Sequence, residues 1–285
     1  DRKFWGVRGS IACPSQQHLK YGGNTSCVEV MLDDQPVAIF DCGTGIHGLG
    51  AEFLRREIKH STILMSHTHW DHINGFPFFA PVFRKDCSVA IYAGHLHERG
   101  GIQQVLADHL EQPLFPVPLE LMGAKKDFTD FQVGTDFNIG NQIHVRTTKL
   151  NHPGGATAYR LEHNGSSVCY VTDTEHVPGK PDQNILALIE GADLVMYDCT
   201  YTDAEYPKYV GWGHSTWQEG VRLCQAANAK QLAIFHHDPG HDDTFMIHLE
   251  AEARRVWNGT IVAREQMIIA VDRKSTRLNS SHTDI

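Results

Sequence analysis

The stretch Ser66-His67-Thr68-His69-Trp70-Asp71-His72 places four metal-capable side chains within six residues, directly after the apolar run 62–65. In an extended segment His67 and His69 project to the same side, so one cation can take both. If the chain then turns, Asp71 and His72 face a second cation. A fold that uses this stretch must end a buried strand at a place where other parts of the chain converge. The rival reading is a solvated loop that happens to be rich in histidine; strand context, spacing and residue types argue together against it. Histidine is abundant throughout, 19 of 285 residues, and imidazole is the commonest transition-metal ligand.

Two metals need further ligands from later in the chain. His152 lies in Leu150-Asn151-His152-Pro153-Gly154-Gly155, where proline and glycine set a tight loop. Asp173, in Val171-Thr172-Asp173-Thr174, is a carboxylate at a strand end and can bridge two cations. His236 or His237 follows the apolar run 232–235. Singly, each is more often a capping or hydrogen-bonded residue; jointly, they complete two nitrogen- and oxygen-rich sites.

Apolar or β-branched runs predict strands at 3–7, 27–32, 37–40, 62–65, 89–92, 144–147, 158–161, 168–172, 194–197, 232–235 and 267–271. Asn164-Gly165 predicts a tight hairpin. Helical stripes are Phe53, Leu54 and Ile58, then Trp217, Val221 and Cys224 behind a Ser215/Gln218 capping box. Asp182 is expected to cap a helix through Ile189 that Gly191 closes, and Thr244 to begin a last helix carrying Ile247, Leu249 and Val256. Residues 94–127 carry a helix at 102–110 and a proline-rich run at 113–118, which either cover the metal cleft or simply pack. With no linker or repeat, 1–272 reads as a single domain of layered α/β class with face-to-face sheets. The polar, Ser/Thr-rich tail 273–285 resembles a translated sequencing-adapter read-through, is set aside and is expected to be loose.

Composition narrows the function. No apolar run nears the roughly 18 residues of a membrane span, so no membrane partner is expected. Twenty-five Lys and Arg against 34 Asp and Glu give a net charge of -9, which argues against a general polyanion binder. Seven cysteines, an odd number without a Cys-x-x-Cys pair, suit a reducing, cytoplasmic setting.

The order His-x-His-x-Asp-His, a lone His, a strand-end Asp and a final His resembles the metallo-β-lactamase superfamily, from about residue 4 to 271. That resemblance implies a four-layer αββα sandwich with the site at the sheet edges. It implies one metal on His67, His69 and His152, another on Asp71, His72 and His236, and Asp173 bridging them. His236 is preferred to His237 because it immediately follows the strand. The cofactors implied are two divalent ions, zinc favoured, with manganese and iron also accepted by such a set.

Gly9-Ser10, Gly22-Gly23-Asn24-Thr25-Ser26-Cys27, Phe40-Asp41-Cys42-Gly43, Asp198-Cys199-Thr200-Tyr201 and Gly213-His214-Ser215-Thr216 resemble the RNase Z and phosphodiesterase side of the superfamily, including bacterial proteins related to cyclic-nucleotide phosphodiesterases. On that likeness Asp71, His214 and Asp198 are the catalytic residues: His214 donates a proton to the leaving group or touches the phosphate, and Asp198 orients it. Asp198 stands where that group commonly carries a Glu, a shorter arm. Asp41 either orients a ligand imidazole or only forms a turn. Two ions about 3.5–4 Å apart would generate a bridging hydroxide nucleophile at neutral pH.

RNase Z typically grips RNA with a basic arm between the lone His and the bridging Asp, but here only 20 residues separate His152 from Asp173. The expectation is therefore a dinuclear phosphodiesterase on a small nucleotide, including a 3′,5′-cyclic one, rather than on a large nucleic acid. The alternatives are a tRNA 3′-processing endonuclease, a lactone or β-lactam hydrolase, and a non-enzymatic metal-binding protein. A homodimer is compatible with each. Tyr201, Tyr206, Tyr209 and Trp212 either stack a base or only pack.

Overall fold

In a computed structural model, which describes residues 1–270, the strands form two seven-stranded sheets. The first half of the chain supplies β1 (Arg2–Gly6), β2 (Cys27–Leu32), β3 (Gln35–Phe40), β4 (His60–Met65), β5 (Ser88–Ala93) and β6 (Lys125–Asp130). The second supplies β7 (Phe137–Ile139), β8 (Ile143–Leu150), β9 (Ala156–His163), β10 (Ser166–Val171), β11 (Leu194–Asp198), β12 (Leu232–Phe235), β13 (Thr260–Val262) and β14 (Ile268–Ile269). The helices are α1 (Ile46–Arg55), α2 (Trp70–Ile73), α3 (Gly101–His109), α4 (Gln183–Ile189), α5 (Trp217–Ala226) and α6 (Asp243–Val256). One sheet has the order β14-β1-β2-β3-β4-β5-β6 and the other β13-β12-β11-β10-β9-β8-β7. In each, one half pairs antiparallel and the other parallel: β3 through β6 in the first, β10 through β13 in the second.

The four-layer α/β sandwich follows from which faces are apolar. Phe4, Phe40 and Leu64 from one sheet meet Tyr159, Tyr170 and Phe235 from the other in an inner core. Phe40 stacks on Tyr170 with ring centroids 4.6 Å apart. Removing such side chains from water contributes roughly 1.5–3 kcal/mol each. The outer face of the first sheet is covered by Ile46, Leu49 and Phe53 of α1 and by Ile102 and Leu106 of α3. That of the second is covered by residues of α4, α5 and α6, including Ile185, Trp217 and Leu249. Strands buried on both faces read as continuous apolar runs, which is why they were visible in the sequence.

Asn164 and Gly165, both at positive φ, form the expected two-residue turn between β9 and β10. Asp182 caps α4, accepting from the Asn184 and Ile185 amides. Other expectations need correction. The cap of α5 is Thr216, which accepts from the Glu219 amide, one residue beyond the expected Ser215/Gln218 box; Ser215 is buried against His176 and Tyr197 instead. Asp242 rather than Thr244 caps α6, whose buried residues are Met246, Leu249 and Ala253, with Ile247 and Val256 facing water. Leu54 is on the exposed side of α1 and Ile58 lies past its end; Ile46, Leu49 and Phe53 make the stripe. Strands β6, β7 and β13 lie outside the expected runs, because each is short or mixes charge into the pattern. The apolar residues of 94–127, including Leu110, Leu119 and Met122, pack into the outer core. The tail 273–285 lies outside the described residues.

Candidate metal centre

Five polar clusters leave the carboxyl ends of parallel-paired strands: Asp41 after β3, Ser66-His67 after β4, Asp173 after β10, Asp198 at the end of β11 and His236 after β12. In open α/β sheets that edge is where ligands bind. Asp41, Asp173 and His236 all take left-handed backbone, with φ of 58°, 61° and 60°. A non-glycine residue pays about 1–3 kcal/mol for such strain, which turns its side chain off the strand axis into the cleft.

All seven metal ligands expected from sequence meet there. His67, His69, His152 and Asp173 form one group able to hold a cation, and Asp71, His72 and His236 another. Asp173 divides between them. Its Oδ2 lies 3.4 Å from His67 Nε2 and 3.5 Å from His152 Nε2, while Oδ1 lies 3.3 Å from His72 Nε2 and 3.2 Å from His236 Nε2. Asp71 Oδ2 is 3.3 Å from both His72 Nε2 and His236 Nε2. Ligand atoms about 2.0–2.1 Å from a tetrahedral ion lie about 3.3 Å from one another. The spacing therefore suits donors arranged around two cations.

The outward imidazole nitrogens explain which atoms face inward. His72 Nδ1 donates to Asp41 Oδ2 at 2.8 Å and His152 Nδ1 donates to the Gly213 carbonyl at 2.7 Å. Thr200 Oγ1 donates to Asp198 Oδ1 at 2.7 Å and so accepts from His236 Nδ1 at 2.9 Å. Each ring thereby engages Nδ1 outside the cleft and turns Nε2 toward it. His67 Nε2 and His72 Nε2 are buried there without a hydrogen-bond partner, which is costly unless a cation completes them. The donor set fits two divalent ions.

Charge agrees with geometry. Burial alone would raise the Asp71 carboxyl, yet His72 and His236 hold it below the usual carboxylate range; His236, His72 and His67 do the same for Asp173. Burial would lower His72, but Asp71, Asp173 and Asp41 push it well above its usual value. His67 is driven the other way, by burial and by His72. Buried carboxylates that stay ionised are what attract a cation.

Asp41 is more than a turn former: its carboxylate accepts from the Ser66 amide, His72 and the Tyr170 hydroxyl. His214 Nδ1 stands 2.9 Å from Asp198 Oδ2, so the shorter Asp arm reaches it. Burial would lower the His214 imidazole, but Asp198 raises it to about 9. His237 turns away to the Ala263 carbonyl. Tyr201 and Tyr209 stack on each other at 4.3 Å, and Trp212 meets Tyr209 edge-on.

Three contributors have roles that the sequence leaves unassigned. The Ser10 amide donates to Asp71 Oδ2 at 2.8 Å. Trp70 is 77% exposed on the cleft wall with Ser10, Thr68, His69, Asp71, Asp173 and His214. Glu175 accepts from the Gly211 and Gly213 amides at 2.8 and 2.7 Å. Gly213 itself, at φ +85°, has no room for a Cβ, which would lie 2.5 Å from His152 Nδ1. A glutamate two residues past a strand-end aspartate carries no periodicity, so only the folded loop reveals its task.

The family described as "Beta-lactamase superfamily domain" matches residues 38–237. Two curated relatives are each named Ribonuclease Z. That of Sulfurisphaera tokodaii is 23% identical over 79% of this chain and 86% of its own. That of Brevibacillus brevis is 31% identical over 39% of this chain, which spans only 34% of its length. A solved diphosphatase of the PhnP family superposes with a TM-score of 0.67 at 18% identity, over 95% of this chain and 97% of its own. With that family matched over residues 38–237, a span that holds every converging His and Asp from His67 to His236, the chain belongs to the β-lactamase superfamily.

Proposed function

We propose that the chain, a hydrolase by its family, cleaves a small phosphodiester of the nucleotide class, cyclic 3′,5′-diesters included. The observation that carries this reading is the division of Asp173 between two histidine groups, with His214 beside them. His67, His69 and His152 would hold one ion, Asp71, His72 and His236 the other, and Asp173 both. When bound, such ions lower the pKa of a water and offset the charge that grows on phosphorus.

The protein's own part is positioning and proton handling. His214, held protonated by Asp198, has Nε2 free to give a proton to the departing oxygen. Asp173 lies 3.9 Å from His214 Nδ1, and the His214 ring stacks on that of His236 at 4.9 Å. Trp70 offers an apolar face to a leaving group or base at the cleft mouth. Between His152 and Asp173 stand only β9, β10 and their tight turn, so this segment has no RNA-gripping arm. Small substrates are favoured on that ground and by the net charge of -9.

The names of the curated relatives favour a second reading, RNA cleavage. Protein loaded with zinc or manganese separates the two when assayed on bis(p-nitrophenyl) phosphate, 3′,5′-cyclic AMP and a precursor tRNA, with a lactone as control. Chelator-sensitive turnover of the small diesters is expected; cleavage of the tRNA alone would transfer the conclusion to RNA, and lactone turnover alone would end the phosphodiester reading. Asp173→Ala is expected to lose both activity and bound metal, and unchanged metal content would remove the bridging role.

A further inference from the structure

A cavity of about 300 Å³ opens beside the histidine cluster, its wall including His95, Arg99, Lys149, Gly154 and Gly155. A second cavity shares Arg99, Lys149 and both glycines and reaches His152. The two run along the loop that carries a proposed metal ligand. The position a Cβ on Gly154 would take is 4.0 Å from Arg99 Nη1 and 4.0 Å from His69 Nε2. Gly154, at φ +83°, thus keeps the space between the guanidinium and the cluster clear of side chains.

The two cations here are free to act. Many arginines and lysines among the described residues are ion-paired: Arg56 with Glu29, Arg222 with Asp203, Lys230 with Asp193, Arg264 with Glu250. Arg99 is anchored by Nη1 donating to the Gly154 carbonyl at 2.8 Å. Among the described residues its Nε and Nη2 have no protein acceptor, and the Lys149 ammonium has no carboxylate within ion-pair range. Glu98 shares the wall of the first cavity, and Asp182, whose Oδ1 caps α4, that of the second. On a chain of net charge -9, a first cavity with two cations against one carboxylate, beside the cleft, is a selective feature.

We propose that this cavity is an anion subsite that takes a second, uncleaved phosphate of the substrate, so that the hydrolysed diester belongs to a nucleotide bearing a further phosphate group. A guanidinium anchored by one nitrogen still presents a fork to phosphate oxygens. Lys149 adds a mobile charge, and the loop glycines leave the path to the metal cluster open. The proposal rests on the phosphodiesterase reading for what is cleaved, but not for what is bound.

The test is calorimetry on the metal-loaded full chain with adenosine 3′,5′-bisphosphate and adenosine 5′-monophosphate as probes. The bisphosphate is expected to bind at least 10-fold tighter. Arg99→Ala/Lys149→Ala should erase that preference while monophosphate binding persists. Lys149→Ala alone, which breaks no protein contact, should erase part of it without disturbing the Gly154 loop. Equal affinity for the two probes in the wild type, or a preference that survives the double variant, overturns the subsite. Absence of diester hydrolysis with the preference intact overturns the phosphodiesterase reading and leaves the subsite standing.

Discussion

His214 and His95 stand close to the same cluster and are tuned in opposite directions. His214 has Asp198 at 2.9 Å and is raised to about 9. His95, whose Nε2 meets Thr68 Oγ1, is lowered to about 3, first by burial and then by Arg99. His214→Ala is expected to keep both metals and cut turnover by about 10²–10⁴-fold; loss of metal, measured by elemental analysis, would make it a ligand instead. For His95 the sign follows from proton binding. Between its folded value near 3 and the ordinary 6.5, the unfolded chain binds more protons, so its share of stability is complete above about 6.5 and lost as pH falls toward 3. His95→Gln should therefore flatten the loss of stability from pH 7 to pH 5 by about 2 kcal/mol in urea titrations. Parallel curves for the two proteins would refute that. The residues of the proposed centre were legible as residue types at strand ends; their ring orientations were not, because Asp41, Thr200 and Gly213 set them from distant parts of the chain.

Among the elements, the loop between β11 and α5 determines how the centre is aimed. Glu175 holds the Gly211 and Gly213 amides, and the Gly213 carbonyl in turn holds His152. Glu175→Ala should weaken metal retention at the His152 side and lower kcat more than it raises KM. Glu175→Gln, which can still accept through its carbonyl, should recover much of both; equal loss in the two variants would argue for a merely structural part. The helices show what periodicity can and cannot fix. Trp217, Val221 and Cys224 were read correctly as the buried stripe of α5, since packing requires that spacing. Its cap slipped by one residue because adjacent Ser215 and Thr216 are both good caps, and only the tertiary contacts of Ser215 with His176 and Tyr197 assign the role to Thr216.

Across the whole molecule, the inner core and the candidate metal centre are mechanically joined. Phe40 stacks on Tyr170, whose hydroxyl donates to Asp41, which orients His72. Phe40→Ala should cost about 3–5 kcal/mol in unfolding free energy and also loosen metal at the Asp71 side; an unfolding loss with metal affinity unchanged would disconnect the two layers. The chain as a sequence determined the apolar strands, the hairpin at Asn164-Gly165 and the ordered series of His and Asp, because burial and turn chemistry act over a few neighbouring residues. Only the tertiary structure decided that Asp173 divides between two histidine groups, that His236 and not His237 faces the cleft, and that Arg99 and Lys149 stand beside it. Those facts depend on how two sheets, formed by residues far apart in the chain, present their carboxyl ends to one another. Local propensity carries no record of that meeting.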